Sequence, residues 1–419
     1  MSVRYVFIHL PGQREAVAAG RLELVESTEG ELRTSRFNYG RQYLDRTQAL
    51  EIDPVSLRFA GEGQQPREPL GGLPLFGAIR DAAPDAWGRR VIESRLGRPG
   101  PLSESVYLDH AGSNRAGAID IRSERDSPPR SSNLPACVDL PYLLQAVERI
   151  EDGEKVPKQL EHFFEGGPTM GGMRPKAVLA VEGREFIAKF PTRGDRFNVP
   201  MVERATLELA RRAGLTVPET RIERLDEGRE IMLIERFDRQ PVAGGLSRNH
   251  MVSALTMLGV DEMDSMNKSY ADIAEVISAR APAERVQQDR TELFRRMVFN
   301  ILVTNNDDHL RNHAFLFDAV GRGWGLSPLY DVVPSTESGT DRYLALGVGP
   351  NGRLARLDNA LAGAGQFGLQ RGKAHEIVEG VVAVVREWRN LFDELGVSDR
   401  DSERIKPAFR RAADLGFRG

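Results

Sequence analysis

The chain has 419 residues, enough for two or three domains with substantial cores. A net charge of −4 and a pI near 6.1 argue against a globally basic nucleic-acid binder. Cys137 is the single cysteine, so no internal disulfide can form and a reducing compartment is favoured.

From the start, Val3–Leu10 and Arg21–Val25 read as short strands separated by glycine-containing turns. The apolar run at Met1–Leu10 is too short for a signal peptide, and no stretch approaches the roughly 18 apolar residues of a membrane span. The expected location is therefore the cytoplasm, with no membrane partner. A helix holding Trp87, read as a core or interdomain anchor, and a strand near Ala118–Ile121 complete a β-rich module over residues 1–122. Residues 123–136 are the expected linker, polar and carrying the paired Pro128 and Pro129. Residues 137–246 mix strands and helices as a small nucleotide-binding lobe does, and residues 247–419 are mostly helical.

In the mixed region, Gly171 and Gly172 permit the close backbone approach that a phosphate-covering loop needs. The surrounding Thr169–Lys176 matches neither the P-loop pattern nor the kinase Gly-x-Gly-x-x-Gly. Lys176 is open between phosphate contact and loop support. Phe186–Phe190 alternates like a strand and places Lys189 where a kinase lysine grips nucleotide phosphates. A helix opens near Pro200, with Val202, Ala205 and Leu209 at helical spacing. It carries Glu203, which either pairs with Lys189 or is a solvated helix glutamate. The strand Ile231–Ile234 then runs into Glu235-Arg236-Phe237-Asp238-Arg239, where a kinase hinge would lie.

The helical region holds the most informative stretch. A stripe of Leu293, Phe294, Met297, Val298, Ile301 and Leu302 marks the helix that delivers Asn305-Asn306-Asp307-Asp308-His309-Leu310-Arg311-Asn312. Asp307 and Asn312 have the Asp-to-Asn spacing of a kinase catalytic loop, where the aspartate takes the substrate hydroxyl proton and the asparagine holds magnesium. After a hairpin formed by residues 314–317 and 324–326, Asp331 stands where a second metal ligand is expected. The usual His-Arg-Asp and Asp-Phe-Gly words are missing. Asp308 and His309 read as loop supports. His309 and His313, at i and i+4, also allow a metal-dependent hydrolase built with Asp307 and Asp308, but that reading leaves Lys189 and the glycine pair unexplained. Helical segments at 373–395 and 402–415 close the chain.

In this order, glycine loop, lysine strand, glutamate helix, hinge, catalytic loop and metal aspartate, the motifs make the chain resemble the HipA-type serine/threonine kinases, toxins of bacterial toxin–antitoxin pairs. The same resemblance extends to Phe37-Asn38-Tyr39-Gly40, to Asp81–Arg89 and to Leu326–Val332. It implies an α+β, two-lobed protein-kinase-like fold with a β-rich N-terminal module and a helical C-terminal lobe. Asp307 is then the catalytic base, and ATP is held by Gly171, Gly172, Lys176, Lys189, Glu235, Phe237, His309, Asn312 and Asp331. Mg2+ falls to Asn312 and Asp331, orientation of Lys189 to Glu203, and self-phosphorylation to Thr169, where the family typically has serine. A helix-turn-helix, HipB-like antitoxin is the implied partner, with DNA reached only through it. The implied protein substrate is of the aminoacyl-tRNA synthetase class, glutamyl-tRNA synthetase in particular. A nucleotide-binding pseudokinase acting as co-repressor is the alternative; the retention of Lys189, Asp307, Asn312 and Asp331 together argues against it.

Overall fold

The computed structural model describes residues 1–59, 65–98, 100–130, 134–156, 172–336, 339 and 341–417. Thr169, Gly171 and linker residues 131–133 lie outside the described residues. Two compact units emerge: Met1–Thr192 with Leu225–Gly228 and Leu233–Val260, and Arg193–Arg224 with Arg229–Met232 and Asp261–Gly419.

The first unit opens with an antiparallel sheet of β1 (Ser2–His9), β2 (Ala16–Glu26), β3 (Leu32–Tyr39) and β4 (Ile119–Arg122), in the order β3-β2-β1-β4. Strand alternation sends Ser35, Phe37 and Tyr39 of β3 inward. Helix α1 (Ala86–Leu96) starts at Asp85, whose carboxylate accepts the Gly88 N–H at 2.7 Å, and stops at a left-handed Gly97. Trp87 is fully buried and its indole N–H donates to the Lys176 carbonyl at 2.9 Å, the anchor expected of it. Helices α2 (Glu104–His110) and α3 (Leu140–Glu151) follow. Within the expected linker, the Ser127 carbonyl accepts from Arg122 at 2.9 Å, and the Arg130 N–H donates to the Ser113 hydroxyl at 2.9 Å.

A second sheet has the order β5-β6-β8-β7, from β5 (Lys176–Val181), β6 (Arg184–Lys189), β7 (Thr220–Arg224) and β8 (Glu230–Glu235). Ile231, Met232 and Leu233 are all fully buried, which explains why the inner strand β8 reads as an unbroken apolar run. A hairpin of β9 (Arg239–Val242) and β10 (Gly245–Arg248), then β11 (Met251–Ser253), follow within the first unit.

In the second unit, α4 (Val199–Arg212) begins at Asn198, whose side chain accepts the Met201 N–H at 3.2 Å, with Pro200 in the first turn. Helix α5 (Tyr270–Arg280) precedes the long α6 (Val286–Val303). The expected stripe of α6 is buried, and so are Phe299 and Val303, which makes this a central helix covered on most sides. Strands β12 (Ala314–Asp318) and β13 (Gly323–Leu326) form the expected hairpin, with Phe317 against Trp324 at 5.5 Å between ring centroids.

The C-terminal expectations need correcting. Residues 373–395 form two helices, α7 (Arg371–Val385) and α8 (Trp388–Glu394). The break sets Trp388 to stack on Phe409 at 4.1 Å. Helix α9 (Asp399–Ile405) starts before residue 402 and ends early, because Pro407 cannot continue it. Among the described residues no helix is long and apolar enough to cross a membrane.

Candidate functional site

Helix α6 ends on Thr304, a non-glycine residue at φ +51°, and that left-handed turn starts the Asn305–Asn312 loop. Within the loop, the Asp307 carbonyl accepts the His309 N–H at 2.9 Å and the Asn312 side-chain amide at 3.0 Å. The Asn312 N–H in turn donates to the His309 carbonyl at 2.9 Å. These bonds fix the backbone, and the Asp307 side chain sits half open to solvent. Burial of its carboxyl lifts the Asp307 pKa above the ordinary value; the His309 charge opposes this, and the charges of Asp331 and Asp308 add to the rise.

Asp331 itself sits at φ +59°, a conformation rare for a side chain with a Cβ and one that gathers at functional sites. Next to it, the Tyr330 hydroxyl donates to the Arg311 carbonyl at 2.6 Å, linking the Asp331 segment to the Asp307 loop. Arg311 also pairs with Glu262.

Asp308 points the other way. It is fully buried and accepts from the Tyr270 hydroxyl, from Asn300 Nδ2 at 2.8 Å and from His313 Nε2 at 2.9 Å. Burial alone would raise its carboxyl, but the His313 charge and the hydrogen bonds from His313 and Tyr270 hold it below the ordinary value. The Asp308–His313 pair is thus part of a buried network gathered on Asp308 Oδ2, while Asp308 Oδ1 and His313 Nδ1 have no hydrogen-bond partner among the described residues. Among the described residues no group of three or more His, Cys, Asp or Glu side chains comes together to hold a metal, so the four-residue hydrolase constellation does not assemble.

In the first unit, Lys189 closes β6 directly opposite Lys176 on β5. Like charges across a strand pair repel, and Asp85 answers that for Lys176 with an ion pair at 2.7 Å, both side chains nearly buried. Lys176 therefore has a structural task. Gly172 takes φ +112°, and a Cβ there would stand 3.1 Å from the Lys176 ammonium, so only glycine suits the position. Glu235 pairs with Arg184 at 3.3 Å, and Phe237 is half-buried in the turn after β8.

Around Phe237 lies a dense buried charge network. Asp238 accepts from Arg236 and Arg239 at 2.8 Å each and from the Gly117 N–H at 2.7 Å. Arg236 also donates to Asn114 at 2.9 Å and Arg239 to Glu185 at 3.0 Å. Burial opposes ionisation of Asp238, yet the two guanidiniums outweigh it and push the carboxyl far below the ordinary range. In the second unit, Glu203 on α4 is only 1% exposed, so it is not the solvated helix glutamate. A buried carboxylate of this kind is stable only when paired.

Asp85, Tyr270, Asn300 and Tyr330 escaped the sequence reading as site supports. Asp85 carried a signal, being a helix-capping residue just ahead of Trp87. Tyr270 and Tyr330 join the loop through long-range bonds, and Asn300 through bonds to Asp308 and Asn305 across the helix end, none of which a local pattern announces.

Residues 169–388 match the HipA-like C-terminal domain, more than half of the chain. The chain belongs to that family. It is 27% identical over 345 residues to "Putative kinase Y4mE" of Sinorhizobium fredii, covering 77% of each chain. A "Putative kinase" of Haemophilus influenzae is 26% identical over 228 residues, 49% of this chain and 64% of that one. The fold is that of HipA in the Shewanella oneidensis complex of HipA, HipB and operator DNA, with a TM-score of 0.64 over 98% of this chain and 95% of that one, at 17% identity. This fixes the architecture as the α+β, kinase-like one expected.

Proposed function

We propose that the protein is an ATP- and magnesium-dependent serine/threonine protein kinase acting as the toxin of a toxin–antitoxin module. The observation that carries the reading is the Asp307–Asp331–Asn312 arrangement. Two carboxylates are close enough for one to raise the pKa of the other, and Asn312 spends its amide N–H on the Asp307 carbonyl, leaving its oxygen to offer. Carboxylate and amide oxygens are the donors magnesium prefers, so the residues fit the ion.

Asp307 accepts the proton of the attacking hydroxyl, and its raised pKa strengthens it as a base. Asn312 and Asp331 hold the metal. Bound magnesium–ATP supplies the γ-phosphoryl group and offsets charge on its oxygens. Lys189, at the end of β6, grips the phosphates, and the backbone at Gly172 covers them. His309 keeps the loop in shape through its N–H and carbonyl. Thr169 is the self-phosphorylation site in this reading. The HipA–HipB–DNA assembly of the structural neighbour supports a HipB-like partner for this chain, with operator DNA reached through it. The protein target, of the aminoacyl-tRNA synthetase class, rests on family resemblance alone.

Incubation of the purified chain with radiolabelled ATP and Mg2+ tests this. Label on wild type that disappears in Asp307→Asn and Asp331→Asn is expected, with Thr169→Ala reporting the self-phosphorylation site. ATP binding without label on the chain or on any protein of a host lysate would favour the co-repressor alternative.

A further inference from the structure

Among the described residues, four that are not glycine take a positive φ: Glu182, Thr304, Arg322 and Asp331. Glu182 and Arg322 lie in the turns of the β5–β6 and β12–β13 hairpins, where such a φ belongs to the turn. Asp331 is the proposed metal ligand. Thr304, at φ +51° and ψ +49°, is the only β-branched residue of the four, and for such a side chain the left-handed region is an outlier. Helix α1 makes the same kind of ending on Gly97, which takes it without steric cost. A threonine stays in such a turn only when its surroundings hold it there.

Those surroundings are dense. Thr304 is 2% exposed, and each of its polar atoms is engaged. Its N–H donates to the Asn300 carbonyl, and its own carbonyl accepts the Ser335 N–H at 2.9 Å. Its hydroxyl donates to the Ala408 carbonyl at 2.5 Å and accepts from Arg342 Nη1 at 2.7 Å. Arg342 Nη2 donates in turn to the Pro407 carbonyl at 2.8 Å, and the Arg410 N–H to the Leu302 carbonyl at 3.3 Å. Between these contacts Phe409 stacks on Trp388, which fixes the segment from its other side.

We infer that Thr304 is a positioning residue for phosphotransfer. Its hydroxyl, gripped by Arg342 and by the C-terminal segment Pro407–Arg410, sets the turn from which the Asp307 loop departs. Its carbonyl ties that turn to Ser335, four residues past Asp331. Base and metal aspartate thus share one anchor that touches no substrate, and the end of the chain is part of the scaffold beneath them. A hydroxyl is needed because it both donates and accepts; a valine of the same shape does neither. The tie rests on this geometry alone, while its consequence for phosphotransfer rests on the kinase reading.

Hydrogen exchange and phosphotransfer, measured on the full chain, test the two parts separately. The His309 and Asn312 N–H groups are bonded within the loop, so exchange across residues 305–313 reports whether the loop keeps its shape. Thr304→Val loses the hydroxyl, and Arg342→Ala removes its partner from 38 positions away. Each should speed exchange at 305–313 several-fold while α5 exchanges as in wild type, so either one that folds suffices. A role confined to overall stability would speed exchange throughout. With ATP and Mg2+, both variants should lower kcat by roughly ten- to a hundredfold, the scale of a misplaced catalytic group, with the KM for ATP little changed. Thr304→Ser keeps the hydroxyl and should recover both readouts. Unaltered exchange at 305–313 in both variants, a wild-type kcat despite a loosened loop, or no recovery in Thr304→Ser would each overturn the inference. A wild type that transfers no phosphate, beside variants with a loosened loop, would sink the kinase reading and uphold the tie.

Discussion

Asp238 in the first unit and Asp307 in the second are both aspartates on short connections, and their surroundings push them in opposite directions. Asp238 is enclosed by two arginines and a backbone N–H, and its carboxyl is driven far down. Asp307 has other carboxylates as neighbours, and its carboxyl is pushed up. The first arrangement is saturated: every charge has its counterpart within the protein. The second is under-compensated at neutral pH, which is what a site awaiting a cation and a proton looks like. Asp308, one residue from Asp307, follows the Asp238 pattern. The contrast is therefore set residue by residue rather than by region.

The largest effect expected on either side is on catalysis. Asp307→Asn should lower phosphotransfer by roughly 10²–10⁴-fold, the range for loss of a general base, with the circular dichroism spectrum unchanged. Asp238→Ala should do the reverse: it strands two buried guanidiniums and should cost about 3–5 kcal/mol of stability, read by calorimetry. Activity would fall only as far as folded protein is lost. If Asp238→Ala proved as stable as wild type, the saturated network would not be structural. Asp308→Ala comes next. Tyr270, Asn300 and His313 lose their shared acceptor, at roughly 1–3 kcal/mol for each buried donor left unsatisfied. A normal Tm for that variant would show that water replaces the carboxylate.

The sequence exposed one half of this contrast better than the other. Asp307, Asn312 and Asp331 could be singled out as candidates because a spacing of residues and an order of motifs survive in one dimension; the buried stripe of α6 and the run of β8 were legible outright. Partners far apart in the chain were not. Lys176 meets Asp85 across 91 positions, and Arg236 meets Asn114 across 122. Nothing local in Lys176 says that its charge is already answered, so phosphate contact and loop support stayed open. The linker segment shows the same dependence on distant partners. Polar, proline-bearing sequence predicts an exposed chain, but whether that chain is tied down depends on Ser113 and Arg122, neither of which lies within it. The break between α7 and α8 depends on Phe409, twenty-one positions beyond Trp388.

The smallest expected effect separates the two adjacent aspartates by sign. Asp307 has a raised pKa in the folded chain, so its protonated form is the one folding prefers. That preference stabilises the protein below the unfolded value near 3.8 and is lost as pH rises through the folded value. Above the folded value, ionised Asp307 is thus a modest burden, screened because the side chain is half open to solvent, and Asp307→Asn should melt slightly above wild type there. The gap should close once the pH is below 3.8. Asp308 has a lowered pKa, so its contribution is present above 3.8 and lost as pH falls through the folded value; Asp308→Asn should melt below wild type at pH 7 and converge with it in acid. Magnesium sharpens the comparison further. A cation held by Asp331 and Asn312 would relieve the crowding of Asp307, so MgCl2 at pH 7 should raise the wild-type Tm and erase the advantage of Asp307→Asn, without helping Asp331→Asn. Should Asp307→Asn gain nothing over wild type in magnesium-free buffer, Asp307 is not under strain from its neighbours, and the metal-site reading loses its electrostatic basis.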